Sequence, residues 1–247
     1  MTHFAHDTVV PDRLSQLSKK QQVAAMFDHI AKRYDLLNRL LSVGIDVGWR
    51  KKALSQLKTL QPETLLDVAT GTGDVAVMAH RLLRPKKITG IDISNGMLAT
   101  GRQKIIDKGL QDHIELLNGD SEAINFPDNS FYAVTVAFGV RNFQNLEKGL
   151  SEILRVLKPG GKLVVLEFSK PPNPLVKRLY QFYMKTICHN VGRMVSNNAT
   201  AYVYLDESIN QFPEGKDFMK ILNAVGFKKT YHKTLTLGIC SIYCGEK

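Results

Sequence analysis

The sequence predicts an α/β fold whose parallel sheet is covered by helices on both faces. After Pro62, short apolar runs rich in β-branched residues alternate with stretches of helical periodicity. Strands that are apolar along most of their length are buried on both faces, as in parallel sheets flanked by helices. Two further strand-like runs, 228–235 and 238–246, end the chain, and their short connection indicates a terminal hairpin.

The alternating region contains five predicted strands, followed or separated by predicted helices. The strands are 65–69, 87–92, 114–120, 131–138 and 162–168. A helix is predicted over 146–157, and the turn 158–161 follows it because proline interrupts helices and glycine permits tight turns. A further helix lies within 214–227, where apolar residues recur at helical spacing.

The chain divides into three parts by composition and pattern. Residues 1–18 are polar and lack periodicity, which predicts a flexible N-terminal arm. Residues 19–60 have the helical periodicity of an N-terminal helical cap. Residues 61–247 form the main α/β domain, which carries a basic amphipathic insertion at about 174–200.

The cap is predicted to contain two helices. The first runs from Lys19 to about Leu41, where apolar side chains recur every three or four residues. The segment 42–48 contains two glycines and is interpreted as a break. The second helix is predicted to start near Trp49 and to end before Pro62.

Composition and charge narrow the classes of partner. Lys and Arg outnumber Asp and Glu by 33 to 23, so the formal net charge of +10 favours anionic partners. No block of five or six consecutive basic residues occurs and aromatic residues make up only 8%, so we expect no nucleic-acid partner. The 3 cysteines lack metal-ligand spacing, so no metal site is expected. Without a long apolar stretch or an apolar leader, the expected localisation is cytoplasmic.

A glycine turn after the first predicted strand indicates a cofactor site. Gly71 and Gly73 allow the backbone to approach a ligand closely and to adopt positive φ. Asp92 lies about twenty residues further on, which also suits a nicotinamide dinucleotide. However, Asp67 and Asp74 flank the glycines, and carboxylates would repel a pyrophosphate. S-adenosylmethionine is cationic and has no phosphate, so it is the preferred cofactor.

Acidic residues follow the next two strands as well. Asp92 closes the second strand, where its oxygens can accept hydrogen bonds from ribose hydroxyls. Asp120 and Ser121 follow the third strand, where a carboxylate and a backbone N–H can bind the adenine edge. Asp67 has a structural alternative, since a strand-end aspartate can cap a neighbouring helix.

The ordered set of acidic glycine turn, strand-end Asp, Asp-Ser pair and Lys-Pro-Gly-Gly turn resembles the class I S-adenosylmethionine-dependent methyltransferase fold. This Rossmann-like fold implies a seven-stranded sheet with an antiparallel C-terminal hairpin. Four segments, 27–54, 65–74, 126–142 and 155–171, resemble the ubiquinone/menaquinone biosynthesis C-methyltransferase family more specifically. The resemblance implies methyl transfer from S-adenosylmethionine to a ring carbon of a polyprenylated quinol.

Several functions stay open at this stage. Demethylmenaquinol, converted to menaquinol, is the leading acceptor that the resemblance implies. The alternative acceptor is 2-methoxy-6-polyprenyl-benzoquinol of ubiquinone biosynthesis. An NAD-dependent dehydrogenase and a non-enzymatic membrane- or RNA-binding module rank lower, because the acidic cofactor motif is intact. The sequence is also compatible with a homo-oligomer.

The resemblance assigns cofactor contacts position by position. They fall on Thr72, on Asp92 and on the pair Asp120 and Ser121. The family often has Asn-Ala at that pair, and it commonly has Ser or Gly where this chain has Ala137, so a hydroxyl contact is lost there. A His is frequent in the family at Asp46, which puts an imidazole role at that position in doubt.

A cation and an amide follow the fourth predicted strand. Arg141 and Asn142 come just after Gly139, at the sheet edge where ligands bind in α/β folds. A permanently charged guanidinium would lower the pKa of a quinol hydroxyl and stabilise the phenolate, whose ring carbon is then nucleophilic. Asn142 would orient the quinol or a water. The alternative is a loop salt bridge. As proton acceptor we consider water or a carboxylate, first Asp74 and then Asp46.

Two further segments are interpreted as acceptor-binding. Tyr34 and Asn38 lie one helical turn apart, so they share a face that can cover the acceptor together with Asp46. For Tyr34, simple packing is the alternative. Residues 174–195 form a basic amphipathic helix that suits an anionic membrane surface, or equally a lid on the sheet.

Overall fold

The computed structural model describes residues 4–183, 186 and 199–247. Its centre is a 7-stranded sheet in the order β3-β2-β1-β4-β5-β7-β6. The strands are β1 Thr64–Val68, β2 Lys87–Asp92, β3 Ile114–Asn118, β4 Phe131–Ala137, β5 Leu157–Phe168, β6 Lys228–Leu235 and β7 Cys240–Glu246. Strands β1 to β5 pair in parallel, and β7 is antiparallel to both neighbours. The predicted α/β fold and terminal hairpin are confirmed.

Eight α-helices surround the sheet within the described residues. They are α1 Lys19–Leu41, α2 Ile45–Ser55, α3 Asp74–Leu83, α4 Asn95–Asp107, α5 Leu146–Val156, α6 Pro174–Tyr183, α7 Ala199–Gln211 and α8 Lys216–Val225. In this part of the chain no helix has the length and apolar character needed to cross a membrane.

Apolar clusters on both faces of the sheet explain why its strands are apolar throughout. Leu65 of β1 belongs to one cluster, which includes Trp49 of α2. The next residue, Leu66, belongs to the other cluster, which includes Leu150 of α5 and Phe218 of α8. Successive side chains of a strand point to opposite faces, so each face needs its own apolar set.

Helix α2 begins earlier than predicted. The structure places its first residue at Ile45 and puts Gly48 inside the helix, where an added Cβ would meet nothing within 4 Å. The prediction of a start near Trp49 was wrong because Gly48 was interpreted as part of the break. The actual break is shorter, and Val43 and Gly44 adopt positive φ there.

The segment predicted as a flexible arm is partly packed against the protein. His6 is buried, and Lys19 donates a hydrogen bond from Nζ to its carbonyl at 2.7 Å. Val9 is also buried and packs with Val23 and Tyr204. The polar composition of residues 1–18 did not indicate these contacts, because they depend on distant residues of α1 and α7.

Two boundaries in the main domain also differ between the prediction and the structure. Strand β5 begins at Leu157, so the expected turn 158–161 lies inside the strand, with Gly160 at φ 77°. The pairing of β4 with β5 shifts its register between Phe131 and Ala133, as at a β-bulge. In the basic insertion, α6 covers residues up to Tyr183, and most of the predicted helix beyond it lies outside the described residues.

Candidate functional site

A small cavity of about 70 Å³ lies where the four strands β1 to β4 end. Its walls include Gly71 after β1, Asp92 at the end of β2, and Asp120 and Ser121 after β3. Ligands of open α/β sheets bind at these carboxyl ends. The structure therefore brings together four of the residues predicted to bind the cofactor.

The glycine turn adopts the conformation that its sequence predicts. Gly71 and Gly73 have φ values of 57° and 76°, which favour glycine. Asp92 holds the turn, because its Oδ2 accepts a hydrogen bond from Gly71 N at 2.8 Å and its Oδ1 accepts one from Ser94 N at 2.9 Å. Burial raises the pKa of Asp92. Each carboxylate oxygen has a second lone pair, so Asp92 can still accept hydrogen bonds from a ligand.

Asp67 lies below the turn and outside the residues that line the cavity. Its side chain is buried and accepts hydrogen bonds from Thr70 Oγ1 at 2.7 Å and Thr135 Oγ1 at 2.6 Å. Burial raises the pKa of Asp67 to about 6. Asp67 was expected to contact the cofactor; in this structure its carboxyl group instead links the turn to β4 through Thr70 and Thr135.

Thr72 and Asp74 belong to a network that joins the turn to the cap. Thr72 Oγ1 donates to Asp35 of α1 at 2.6 Å, and Lys104 Nζ lies 2.7 Å from Asp74 and 2.6 Å from Asp35. Burial alone would raise the pKa of Asp74, but the charges of Lys104, Arg50 and Arg39 outweigh it and hold the pKa below its usual value.

Thr72, Gly73 and Asp74 line neither the small cavity nor a larger cavity of about 300 Å³ that adjoins it. Asp74 was the first choice of proton acceptor, but in this structure it is paired with Lys104 and lines neither cavity, and a carboxylate held in an ion pair is a poor base. In this structure Thr72 and Gly73 help to shape the glycine turn and do not contact the cavity directly.

Beside Asp120 and Glu122, the small cavity contains a lysine that the sequence analysis missed. Lys20 of α1 donates a hydrogen bond to Asp120 and lies 3.4 Å from Glu122. Asp120 also accepts from Glu122 N at 2.9 Å. Lysine at the second position of a helix carries no recognisable motif, so only the packing of α1 over the sheet identifies it.

A larger cavity of about 300 Å³ adjoins the small one. Its walls are mainly apolar and aromatic, and they come from α1, α2, the segment after β4, β5, α6, α7 and the connection between β6 and β7. Phe27, Tyr34 and Phe138 line both cavities. These three side chains separate a polar compartment from an apolar one, which is the arrangement that a cofactor and an apolar acceptor need.

Tyr34, Asn38 and Asp46, predicted to bind the acceptor, all line the larger cavity. Burial raises the pKa of Tyr34, so its hydroxyl stays protonated. Asp46 is buried and accepts hydrogen bonds from Arg50 and, at 2.7 Å, from Ser42. Of the two carboxylates considered as proton acceptors, Asp74 and Asp46, Asp46 is the one that lines the larger cavity.

Arg141 combines the two alternatives considered from the sequence. Its Nη1 lies 2.7 Å from Glu167, a fully buried carboxylate of β5, and donates to the Phe138 carbonyl at 2.5 Å. Arg141 also lines the larger cavity, and its Nε is buried without a hydrogen-bond partner in the described part of the chain. The loop salt bridge exists, and it fixes the guanidinium at the wall of the cavity.

Asn142 lies between the two compartments. It lines the small cavity, and its Oδ1 accepts a hydrogen bond from the hydroxyl of Tyr204 at 3.0 Å. Tyr204 in turn lines the larger cavity. Asn142 thus connects the end of β4 to α7, and its amide nitrogen can still donate to a ligand.

Arg50 is a second cavity arginine, and the sequence analysis missed it. Its Nη1 pairs with Asp46 and lies 3.5 Å from Asp74, and its guanidinium lies 5.8 Å from the centre of the Phe138 ring. The spacing of Asp46 and Arg50, four residues apart on a helix, was the available signal. It was lost because the helix was predicted to start after Asp46.

Comparison with known proteins gives a family assignment. The profile of the ubiE/COQ5 methyltransferase family matches residues 15–247. Demethylmenaquinone methyltransferase of Bacteroides fragilis is 44% identical over 229 residues, covering 93% of this chain and 94% of the relative. Ubiquinone/menaquinone biosynthesis C-methyltransferase UbiE of Geobacter sulfurreducens is 45% identical over 230 residues, covering 93% and 90%.

Solved structures support the fold. An S-adenosylmethionine-dependent methyltransferase from Thermotoga maritima superimposes with a TM-score of 0.60 and 20% identity, covering 90% of this chain and 99% of that one. A Bacillus halodurans protein described as a putative methyltransferase gives a TM-score of 0.55 and 24% identity, covering 78% and 98%. The methyltransferase fold expected from the strand-end motifs is confirmed. The profile match over residues 15–247 and the relatives at 44% and 45% identity show that the chain belongs to the ubiE/COQ5 methyltransferase family.

Proposed function

We propose that this protein is an S-adenosylmethionine-dependent C-methyltransferase that converts demethylmenaquinol to menaquinol. One observation carries the proposal: an aromatic cavity of about 300 Å³, bordered by Arg141, shares three side chains with the polar cavity at the glycine turn. The names of the relatives support the quinol acceptor. The benzoquinol of ubiquinone biosynthesis is the second candidate, since the name of the Geobacter relative includes both quinones.

The residues of the small cavity suit the cofactor. Asp92 would bind the ribose hydroxyls, and Asp120 with the backbone of Ser121 would bind the adenine edge. Gly71, which has a positive φ and no side chain, lets the backbone of the turn approach the cofactor closely. When bound, the cofactor supplies an electrophilic methyl group on a sulfonium.

Arg141 would activate the acceptor by stabilising its phenolate form. The guanidinium is buried, so its charge acts through a medium of low dielectric constant and lowers the pKa of a nearby hydroxyl strongly. Both hydrogen bonds of its side chain use Nη1, so Nε and Nη2 have no acceptor among the described residues. These two groups would donate to the ring oxygen, and ionisation would place electron density on the adjacent ring carbon.

Asn142 and Asp46 would complete the acceptor site. Asn142 stands between the compartments, where its amide would orient the quinol or a water. Asp46 lines the larger cavity, so it or a water would accept the hydroxyl proton. Tyr34 and Asn38 would cover the ring from α1.

A polyprenyl tail requires an apolar exit, and the surface near the larger cavity provides one. On α6, Tyr180 and Tyr183 line the cavity, whereas Leu175, Leu179 and Phe182 are more than three-fifths exposed. Leu36, Leu40, Val43 and Ile45 of the cap are exposed as well. We call these seven side chains the apolar rim.

Basic side chains accompany the rim. Lys177 and Arg178 of α6 are exposed between its apolar residues, which suits anionic lipid head groups. The protein would therefore be cytoplasmic and bind peripherally to the inner face of the cell membrane. It would take its acceptor from the bilayer through the rim.

A methyl-transfer assay with labelled S-adenosylmethionine tests the proposal. We expect labelled product from demethylmenaquinol, and comparison with the methoxy-polyprenyl-benzoquinol decides between the two acceptors. No product from either acceptor would contradict the proposed function. Calorimetric titration with NAD in place of S-adenosylmethionine should give no binding, and binding of NAD instead would favour a dehydrogenase.

A further inference from the structure

Arg50 holds its two carboxylate partners with one nitrogen. Its pairs with Asp46 and with Asp74 both use Nη1. Its Nε is buried and lacks a hydrogen-bond partner in the described part of the chain, and Nη2 makes no hydrogen bond there either. The Nε and Nη2 groups point the same way from a guanidinium and together match a carboxylate. Arg50 therefore keeps its carboxylate-binding edge open.

Burial makes this open edge significant. The side chain of Arg50 is only 7% exposed, so water contributes little to satisfying its donors, and buried donors without acceptors destabilise a fold. Arg50 lines the larger cavity. Arg39 contacts the same two carboxylates, but its side chain is 44% exposed and it lines neither cavity. The two arginines thus share their protein partners and differ in their access to ligand.

The orientation of the cofactor points to what this edge binds. If adenine binds at Asp120 and ribose at Asp92, as proposed, the amino-acid end of the cofactor would face the remaining lining residues Ala69, Gly71 and Phe138. Its α-carboxylate then needs a cation at that end. Among the described residues that line the small cavity the cation is Lys20, which is paired with Asp120 at the adenine end. Arg50 lies next to Phe138, on the required side.

We propose that Arg50 binds the α-carboxylate of S-adenosylmethionine through its Nε and Nη2 groups. The planar fork of arginine binds a carboxylate through two parallel hydrogen bonds, which lysine does not reproduce. Asp46 and Asp74 keep the guanidinium oriented from the other side. This inference deepens the proposed function and rests on the cofactor position given there, but it does not depend on the identity of the acceptor.

Decarboxylated S-adenosylmethionine tests the inference, because it lacks the α-carboxylate and keeps the sulfonium and the amine. The affinities of both compounds are measured by calorimetry on the full chain, without acceptor. We expect the wild type to prefer the intact cofactor by about 100-fold, the usual effect of removing one partner of a buried charge pair. In Arg50→Gln that preference should fall to within about threefold, since the cycle isolates the pairwise interaction.

Two variants control the experiment. Arg39→Gln alters the same carboxylate pair from outside the cavities, so it should keep the preference of the wild type. Arg50→Lys retains a positive charge beside Asp46 and carries the test if Arg50→Gln does not fold. It should keep only a small part of the preference.

An undiminished preference for the intact cofactor in Arg50→Gln or Arg50→Lys would overturn the inference. If the KM for the quinol rose in the same variant, the open edge would belong to a ring oxygen of the acceptor. If the wild type bound neither compound, the proposed function would fall together with the inference. A preference that fell equally in Arg39→Gln would assign the effect to the carboxylates.

Discussion

The two cavities are built in different ways, although they share Phe27, Tyr34 and Phe138. The small cavity is formed by turns that directly follow β1 to β4, so neighbouring residues in the sequence produce most of its polar groups. The larger cavity is assembled from helices of the cap, from α6 and α7, and from the ends of β4 and β5. The proposed cofactor site is thus a local property of the sheet, whereas the proposed acceptor site is a property of packing.

The charged groups of the two cavities also differ in the partners that hold them. In the small cavity, Asp92 is held by backbone N–H groups of its own sheet edge. In the larger cavity, Arg141 and Arg50 are each held by a buried carboxylate, namely Glu167 of β5 and Asp46, which lies one turn earlier on α2. Arginines fixed in this way leave donors for a ligand, and the cost of their burial is offset by the ion pairs.

The strongest test of this comparison is Arg141→Ala. We expect turnover to fall by about 100- to 1000-fold, the usual effect of removing one oxyanion-stabilising donor. Cofactor affinity, measured by calorimetry, should change little, because Arg141 lines the larger cavity and not the small one.

The same variant leaves Glu167 buried without its partner, which should lower the free energy of unfolding by about 3–5 kcal/mol. The double variant Arg141→Met, Glu167→Gln is the control. It should recover much of the stability and none of the turnover. Recovery of both would restrict Arg141 to a structural role.

Asp67 provides a test of the turn below the small cavity. Its pKa of about 6 lies above the ordinary 3.8, so the folded state binds its proton more tightly than the unfolded state does. The stabilisation is complete below about pH 4 and is lost as the pH rises through about 6, a change of about 3 kcal/mol for a shift of about two units. Urea unfolding of the wild type and of Asp67→Asn between these pH values measures it. Parallel curves for the two proteins would contradict the raised pKa.

Asp92→Asn should separate the two cavities in the opposite direction from Arg141→Ala. We expect cofactor affinity to fall by about 10- to 100-fold, since hydrogen bonds to a charged group contribute about 1.5–3 kcal/mol. The KM for the quinol should not change. Asp28→Asn is the matched control, because Asp28 accepts hydrogen bonds from Ser94 and Gly96 nearby but lines neither cavity. An equal loss of affinity in the control would reduce Asp92 to a support of the turn.

A substitution in the apolar rim should have the smallest effect of those predicted. Leu179→Glu should weaken binding to anionic phospholipid vesicles by about 10-fold, since it removes one leucine from the lipid contact and adds a negative charge. Ile106→Glu on α4 is the control, because Ile106 is similarly exposed, at 58% against 62% for Leu179. Cosedimentation with the vesicles measures both. Equal binding of the two variants would contradict a lipid surface at the rim.

The sequence predicted the cofactor side more completely than the acceptor side. Gly71, Asp92, Asp120 and Ser121 meet at one cavity because the carboxyl ends of parallel strands meet at one edge. The same reasoning also assigned Asp67 and Asp74 to this site, but neither lines the small cavity in this structure. Side chains of consecutive turn residues point in different directions, so proximity in sequence does not decide which of them face a ligand.

On the acceptor side, Tyr34, Asn38, Asp46 and Arg141 were predicted and do line the larger cavity. Arg50, Glu167 and Lys20 were missed. Each of them acquires its partner from a residue brought close by packing or by a helix boundary that the sequence misplaced. No local pattern distinguishes Lys20 and Glu167 from ordinary surface charges, whereas the spacing of Asp46 and Arg50 becomes a signal only when the helix begins at Ile45.

The sequence by itself determined the strands of an α/β sheet, its terminal hairpin, its glycine turn and its strand-end acids, because apolar runs, helical periodicity and positive φ are local properties. Only the tertiary structure decided how α1 and α2 close over the sheet, and that closure creates the aromatic cavity and leaves donors of Arg50 and Arg141 without partners among the described residues. The physical reason is that burial and ion pairing depend on distances between segments that are remote in sequence.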